Sequence, residues 1–414
     1  MSSEKKFGKG FVCGVLTAAV IGAAGGAVIG NLDNLSVPKL AEETETNMAE
    51  PAGLNLDLER VEEKISEIEG VVNRYGLDEA DEVNVEDHIY KGLLAGLGDD
   101  YAAYYNEEEL KGIIESTSGE YKGIGAKLSQ DAQTGVITVV TCFEGSPSEK
   151  AGMLPGDVLY TVNEEEVTGK DLTDVVSVIK TAEGDTVHIQ VARDGEKDYL
   201  DFYVERADIE VPTITSKMLE NNIGYIIISE FDSATVDQFK LALEELESQG
   251  MEKLIIDLRN NLGGVLDGCC EMLRQILPEG LIVYTEDKYG VREEYTCDGA
   301  NEFTKPLVVL VNEYSASAAE IFSGAVKDHG VGILVGTTTF GKGIVQRIVN
   351  LDDGTAVKLT ISKYYTPNGT DIHKKGIEPD VKVELDEELW KKVVIEEEED
   401  NQLQKAIEII KEQE

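Results

Sequence analysis

Residues Leu307–Val326 read LVVLVNEYSASAAEIFSGAV, and this stretch decides the fold. Five consecutive apolar residues form a strand buried on both faces. A short polar turn follows, and then a helix opens on small side chains. The same alternation recurs on both sides. IGYIIIS (223–229) leads to VDQFKLALEELESQG (236–250). KLIIDL (253–258) passes through RNNLGG to VLDGCCEMLRQIL (265–277), and VGILVG (331–336) follows downstream. Apolar strands separated by helices predict βαβ units and a mainly parallel sheet. The crowding of serine and alanine at a strand-to-helix turn then has two readings. The backbone approaches something closely, or a hydroxyl there has a task.

Upstream the period changes. From Gly119 to Ala207 it is two: TGVITVV is a strand, and VHIQVARDGEKDYLDFYV is a hairpin turned by Asp194-Gly195. One amphipathic helix, DLTDVVSVIK, interrupts it with Leu172, Val175, Val176 and Ile179 on one face. Residues 55–118 read as helical, with Leu58, Val61, Ile65 and Ile68 at spacings of three and four. Residues 31–54 read as a linker, and 389–414 as an exposed acidic helix. The expected architecture is α/β and multidomain: a helical region (55–118), a β-rich domain (119–207) and an α/β domain (208–388).

The net charge of -44, from 37 basic and 81 acidic side chains, argues against a nucleic-acid partner. The odd, scattered cysteines do not form a disulfide framework, and no Cys/His cluster or cofactor motif points to a metal or prosthetic group. The adjacent Cys269 and Cys270 read as buried packing. Lys5, Lys6 and Lys9 precede about nineteen uncharged residues, Phe11 to Ile29, the length of a bilayer crossing with its positive end inside. A cleaved signal segment is the alternative; no A-x-A site closes the run, which favours a single-pass anchor. Both readings place the remainder outside the cytoplasm.

Chemistry in open α/β sheets gathers where strands end and helices begin. Two such loops stand out, NNLGG (260–264) and the turn holding Ser315 and Ser317. A serine there is by default a helix cap. Alternatively it is a nucleophile, whose oxyanion the free N–H groups at the helix start would stabilise, with the glycine pair as a second source of donors. A nucleophilic serine needs a base, and no histidine is suitably placed. Lys342, in TTTFGKGIVQ, serves only if burial among apolar groups such as Phe340, Ile344 and Val345 keeps it neutral; the commoner case is a solvated turn lysine. The rival is a phosphate-binding loop: GTTTFGKG matches G-x-x-x-x-G-K-[ST] except that Gly343 replaces the hydroxyl residue. The residues after it alternate like a hairpin and do not open a helix, so that cradle is incomplete.

Taken in order, GLLAGLGDDYAAYY, TSGEYKGIGAKL, GSPSEKAGMLPGDVLYTVNEEEV, DLRNNLGGVL, SASAAEIFSGAVKDHG, VGTTTFGKGIVQ and KGIEPDV resemble the carboxyl-terminal processing (tail-specific) proteases of serine peptidase family S41. The resemblance covers nearly all of the chain after the N-terminal segment. It implies a PDZ domain at 119–207 and a protease domain at 208–388. It assigns Ser317 as nucleophile, Lys342, 25 positions downstream, as base, and Gln346 as the residue orienting the amine. It implies backbone N–H groups of Ala318 and Gly263 as oxyanion donors, with Gly264 as the fallback. Ser315 is then packing or capping.

The resemblance also gives the β-rich domain a role. Backbone N–H groups around Gly123, Ile124 and Gly125 would capture the free C-terminus of a protein substrate as an added strand. Leu172, Val176 and Ile179 would line that groove. No cofactor is implied, and a homo-oligomer is compatible. Tyr314 and Leu262 stand where smaller residues are frequent in the family, and Tyr314 adds bulk beside the nucleophile. The alternative function is a non-catalytic PDZ scaffold or ligand-binding protein on the same fold.

Overall fold

The computed structural model describes residues 27–28, 54–77, 82–392 and 395–413. The chain divides into two compact units. The larger holds the described residues of 108–347 and 361–414 with the short strand at 27–28, and the smaller holds those of 31–107 and 348–360.

The core of the larger unit is a six-stranded sheet. Its order is Ile214–Leu219, Ile223–Ile228, Lys253–Asp257, Leu307–Val311, Ile333–Gly336 and Val381–Lys382. The first pair is antiparallel and every later pair parallel. The five residues of Leu307–Val311 are all buried, because helices cover both faces of the sheet. One face packs on Phe239 and Leu246 of helix Ser233–Ser248, Leu266 and Cys269 of helix Leu266–Leu273, and Phe322 of helix Ala318–His329. The other face packs on Leu403, Ala406 and Ile410 of helix Asn401–Glu412. The C-terminal helix is therefore not the exposed element expected from its acidic composition. Its apolar stripe is docked, and burying side chains the size of Leu403 and Ile410 is worth about 1.5–3 kcal/mol each.

The β-rich segment forms its own sheet, ordered Ala126–Gln130, Ile137–Cys142, Val158–Val162, Thr186–Ala192 and Leu200–Glu205. The predicted hairpin pairs Val187 with Val204, Ile189 with Phe202 and Val191 with Leu200, which is the alternation read from the sequence. Helix Leu172–Thr181 closes that core with Leu172, Val175 and Ile179. Another six-stranded sheet includes Ile344–Asn350 beside Ala356–Tyr365. The residues after Lys342 are thus a strand, which removes the helix that a phosphate loop needs.

In the smaller unit, helix Leu58–Tyr75 forms as its periodicity predicts, yet none of its residues is buried. Of the expected anchor segment, only Ala27 and Val28 are described, as a two-residue strand beside Val345 and Gln346. The rest lies outside the described residues, and among these no helix is long and apolar enough to cross a membrane.

Candidate active site

Strand Leu307–Val311 delivers the chain to Ser317, immediately before helix Ala318–His329. Ser317 is fully buried and takes φ 54°, ψ -115°, a conformation rare for a side chain with a Cβ. Such a turn persists only when its surroundings over-determine it. The Ser317 N–H donates to Glu320 Oε2 (3.0 Å). Its carbonyl accepts from the N–H groups of Glu320 (2.8 Å) and Ile321 (3.0 Å) and from the Tyr364 hydroxyl (2.9 Å).

Lys342 is also buried, 4% exposed, and the same two side chains hold it. Its N–H donates to Glu320 Oε2 (2.7 Å), and its carbonyl accepts from the Tyr364 hydroxyl (2.6 Å). Glu320 Oε1 completes the cage by accepting from the Thr339 hydroxyl (2.6 Å) and the Gly341 N–H (2.7 Å). Burial pushes the Glu320 carboxyl above the ordinary range, opposed by the hydrogen bonds from Thr339, Lys342, Gly341 and Ser317. Sequence reasoning missed both Glu320 and Tyr364. Glu320 had a signal, since Ser317-x-x-Glu320 has the spacing of a capping box.

The apolar setting of Lys342 is partly as expected. Ile344 and Val345 are buried beside it in sequence, whereas Phe340 is 56% exposed and only its N–H is engaged, by the Ser315 carbonyl (3.0 Å). Gln346 is buried on the strand that follows, and its Nε2 has no hydrogen-bond partner among the described residues. Ser315 is structural: its hydroxyl donates to the Leu258 carbonyl (2.8 Å) and accepts the Asn312 N–H (2.9 Å).

The glycine pair lies against Ser317. A Cβ on Gly263 would stand 2.7 Å from Ser317 Cβ and 2.9 Å from the Ala318 nitrogen, and its φ is 105°. A Cβ on Gly264 would stand 1.9 Å from the Phe231 carbonyl oxygen. Only glycine fits either place. The Gly263 N–H, however, donates to Asn261 Oδ1 (2.8 Å), so this geometry does not aim it at Ser317. Asn261 is fully buried, and its other groups tie neighbouring segments together: Nδ2 donates to the Ile228 carbonyl (2.8 Å), and its carbonyl accepts the Ala316 N–H (2.9 Å). Gly264 pairs with Phe231 through its flanking residues, with Phe231 N–H on the Gly263 carbonyl and Val265 N–H on the Phe231 carbonyl. That ladder turns the Gly264 N–H away from the Phe231 strand.

Outside the protease sheet, the predicted tail-binding residues split. The carbonyl of Ile124 accepts the Ser148 N–H (2.9 Å), and that of Gly125 accepts the Phe143 N–H (2.8 Å). Gly123 pairs with Ala207 in a two-stranded ladder. The Gly125 N–H meets the hydroxyl of Tyr121, whose pKa burial pushes up to about 12. Leu172 and Ile179 face the domain core, while Val176 is half-buried.

The chain's likenesses agree with this geometry. Residues 222–383 match the model of peptidase family S41, and residues 139–193 match a PDZ domain. The chain is 38% identical over 306 residues to the carboxy-terminal processing protease CtpA of Bacillus subtilis, covering 74% of this chain and 65% of that one. It is 35% identical over 341 residues to CtpB of the same organism, covering 81% and 71%. It is 33% identical over 296 residues to a carboxyl-terminal-processing protease of Synechocystis, covering 70% and 69%. The chain thus spans about two thirds of these relatives' own length. With a PDZ domain set before an α/β sheet whose strand-to-helix turn presents a strained, caged serine, the chain belongs to peptidase family S41, among the carboxy-terminal processing proteases.

Proposed function

We propose that the chain is an extracytoplasmic serine endopeptidase that cleaves proteins engaged through their C-terminal tails. The observation that carries this reading is the shared cage, in which Ser317 and Lys342 give their N–H groups to one carboxylate oxygen and their carbonyls to one hydroxyl. A nucleophile and base fixed to the same two groups need little reorganisation to react.

Burial of Lys342 penalises its ammonium form, which favours the neutral amine that a base requires. In the reaction that amine, oriented by Gln346, takes the Ser317 proton as the oxygen attacks a peptide carbonyl. The tetrahedral oxyanion is stabilised by the N–H groups of Ala318 and Gly264; Gly264 replaces Gly263 in this role because Asn261 holds the Gly263 N–H. Collapse expels the amine, which takes its proton from Lys342, and water then releases the acyl group from Ser317 by the same route. The PDZ domain recruits the free C-terminus at Gly123–Gly125, displacing the Tyr121 hydroxyl from the Gly125 N–H. Of Leu172, Val176 and Ile179, Val176 is the one whose side chain is left partly accessible to it. The uncharged run from Phe11 to Ile29 supports membrane anchoring at the N-terminal end.

The test compares wild type, Ser317→Ala and Lys342→Ala on an unfolded protein with an apolar C-terminus. Cleavage by wild type alone is expected. Cleavage by Ser317→Ala moves the nucleophile elsewhere, and tail binding without cleavage by any of the three leaves a scaffold. Amidating the tail should weaken binding; an unchanged affinity removes carboxylate capture.

A further inference from the structure

Tyr364 is the largest fully buried side chain among the described residues and belongs to strand Ala356–Tyr365. Its hydroxyl lies 2.9 Å from the Ser317 carbonyl oxygen and 2.6 Å from the Lys342 carbonyl oxygen. Carbonyls only accept, so one phenolic proton is shared between them in a three-centred bond, the shorter arm to Lys342. The Tyr364 N–H also donates to the Gly343 carbonyl (3.2 Å), so both ends of the residue are tied to the lysine loop.

We propose that Tyr364 is a positioning residue for the reaction, whose hydroxyl sets the distance between the serine elbow and the lysine loop. This rests on the Ser317–Lys342 reading above. Glu320 joins the two segments through N–H groups and the Thr339 hydroxyl, and the Phe340 N–H on the Ser315 carbonyl ties them again on one side of the two residues. These bonds hold the segments together; Tyr364 is the group that engages the carbonyls of Ser317 and Lys342 themselves, so it sets how those two peptides are turned toward each other. The Ser317 turn sits outside the common backbone regions, so it relaxes when a restraint is lost. Such relaxation moves the hydroxyl from the amine without touching the surface where substrate binds. Burial keeps the phenol a donor, because it pushes the Tyr364 pKa well above the ordinary tyrosine value.

The experiment uses the full chain carrying Tyr364→Phe, which removes one oxygen from a fixed ring. The expected result is a kcat lowered about 10- to 100-fold with KM little changed, as for an interaction that aligns reacting groups. Tyr365→Phe is the neighbouring control and should match wild type. Folding is followed by thermal unfolding, with rates read well below each midpoint. A second pair of variants carries para-aminophenylalanine or para-methylphenylalanine at 364; both keep the ring and its para substituent, and the amine still donates to the two carbonyls whereas the methyl cannot. The amino variant should keep kcat within about threefold of wild type, and the methyl variant should lose about 10- to 100-fold. This pair decides the matter even if Tyr364→Phe does not fold. A Tyr364→Phe enzyme with wild-type kcat, or amino and methyl variants equally impaired, overturns the proposal while Ser317-dependent cleavage stands. Cleavage that persists in Ser317→Ala removes the underlying reading and this role with it.

Discussion

Replacing Glu320 is the most informative perturbation of the cage, because all four of its partners are donors. Glutamine offers one acceptor oxygen and one NH2. Its oxygen must remain toward Ser317 and Lys342, where two backbone N–H groups cannot reverse their role. The NH2 then faces Gly341 and Thr339. The Thr339 hydroxyl can rotate to accept, so one buried N–H, that of Gly341, is orphaned. An orphaned buried donor costs about 1–3 kcal/mol. Glu320→Gln should therefore lose about 2 kcal/mol of stability and keep kcat within roughly tenfold of wild type. Glu320→Ala orphans three buried N–H groups and leaves a cavity; it should lose more than about 4 kcal/mol and be inactive. Denaturant unfolding and peptide hydrolysis measure both. Equal losses in the two variants would refute the argument that acceptor count governs the site. The charge adds a pH signature. Burial raises the Glu320 pKa, so its stabilising contribution is complete below the unfolded value of about 4.3 and fades as pH rises through the folded value. Activity runs the other way, since only the carboxylate accepts all four bonds, and Glu320→Gln should flatten both trends.

Gly263→Ala should cut kcat by at least about 100-fold, because the new methyl would occupy the space between Ser317 Cβ and the Ala318 nitrogen; near-normal turnover would relocate the oxyanion site. Burial, then the charge of Asp232, pushes Glu230 up to about 7, so ionising it costs stability as pH rises from about 4.5 through 7. Glu230→Gln should accordingly stabilise by about 1–2 kcal/mol at pH 8 and by nothing at pH 4, and equal thermal shifts at both would contradict that assignment. Tyr121→Phe frees the Gly125 N–H and should tighten binding of a free-tailed peptide several-fold by fluorescence anisotropy; weaker binding would mean that the hydroxyl contacts the tail.

Much of the architecture was legible because periodicity survives in local sequence. The run LVVLV could only be a strand covered on both faces, and the alternation of Val187, Ile189 and Val191 fixed which side of its hairpin faces inward. The C-terminal helix shows where this stops. Acidic composition dominated the reading of 389–414, yet Leu403, Ala406 and Ile410 recur at three and four residues, and that stripe seals one face of the main sheet. Helix Leu58–Tyr75 is the converse, since its stripe at the same spacing lies uncovered within the chain. Periodicity reports that a face is apolar and says nothing of what meets it.

The candidate site divides along the same line. Ser317, Lys342 and the glycine pair sit in motifs whose small residues and turns are visible within a few positions. The groups that hold them are remote in sequence or chemically unremarked: Tyr364 reaches Ser317 from 47 positions away, and Asn261 reaches the Ile228 carbonyl from 33. No propensity marks a buried tyrosine as the one whose hydroxyl will find two carbonyls, because sheet register decides it. Asn261 carries the sharper lesson. The resemblance nominated Gly263 as an oxyanion donor on position alone, but a backbone N–H is available only if no nearer acceptor claims it, and an asparagine two residues earlier does so at 2.8 Å. The direction of the Gly263 N–H is therefore decided by a side chain. In the reaction proposed above, the oxyanion hole works through Gly264, or else must break a buried hydrogen bond, at about 1–3 kcal/mol, on every turnover.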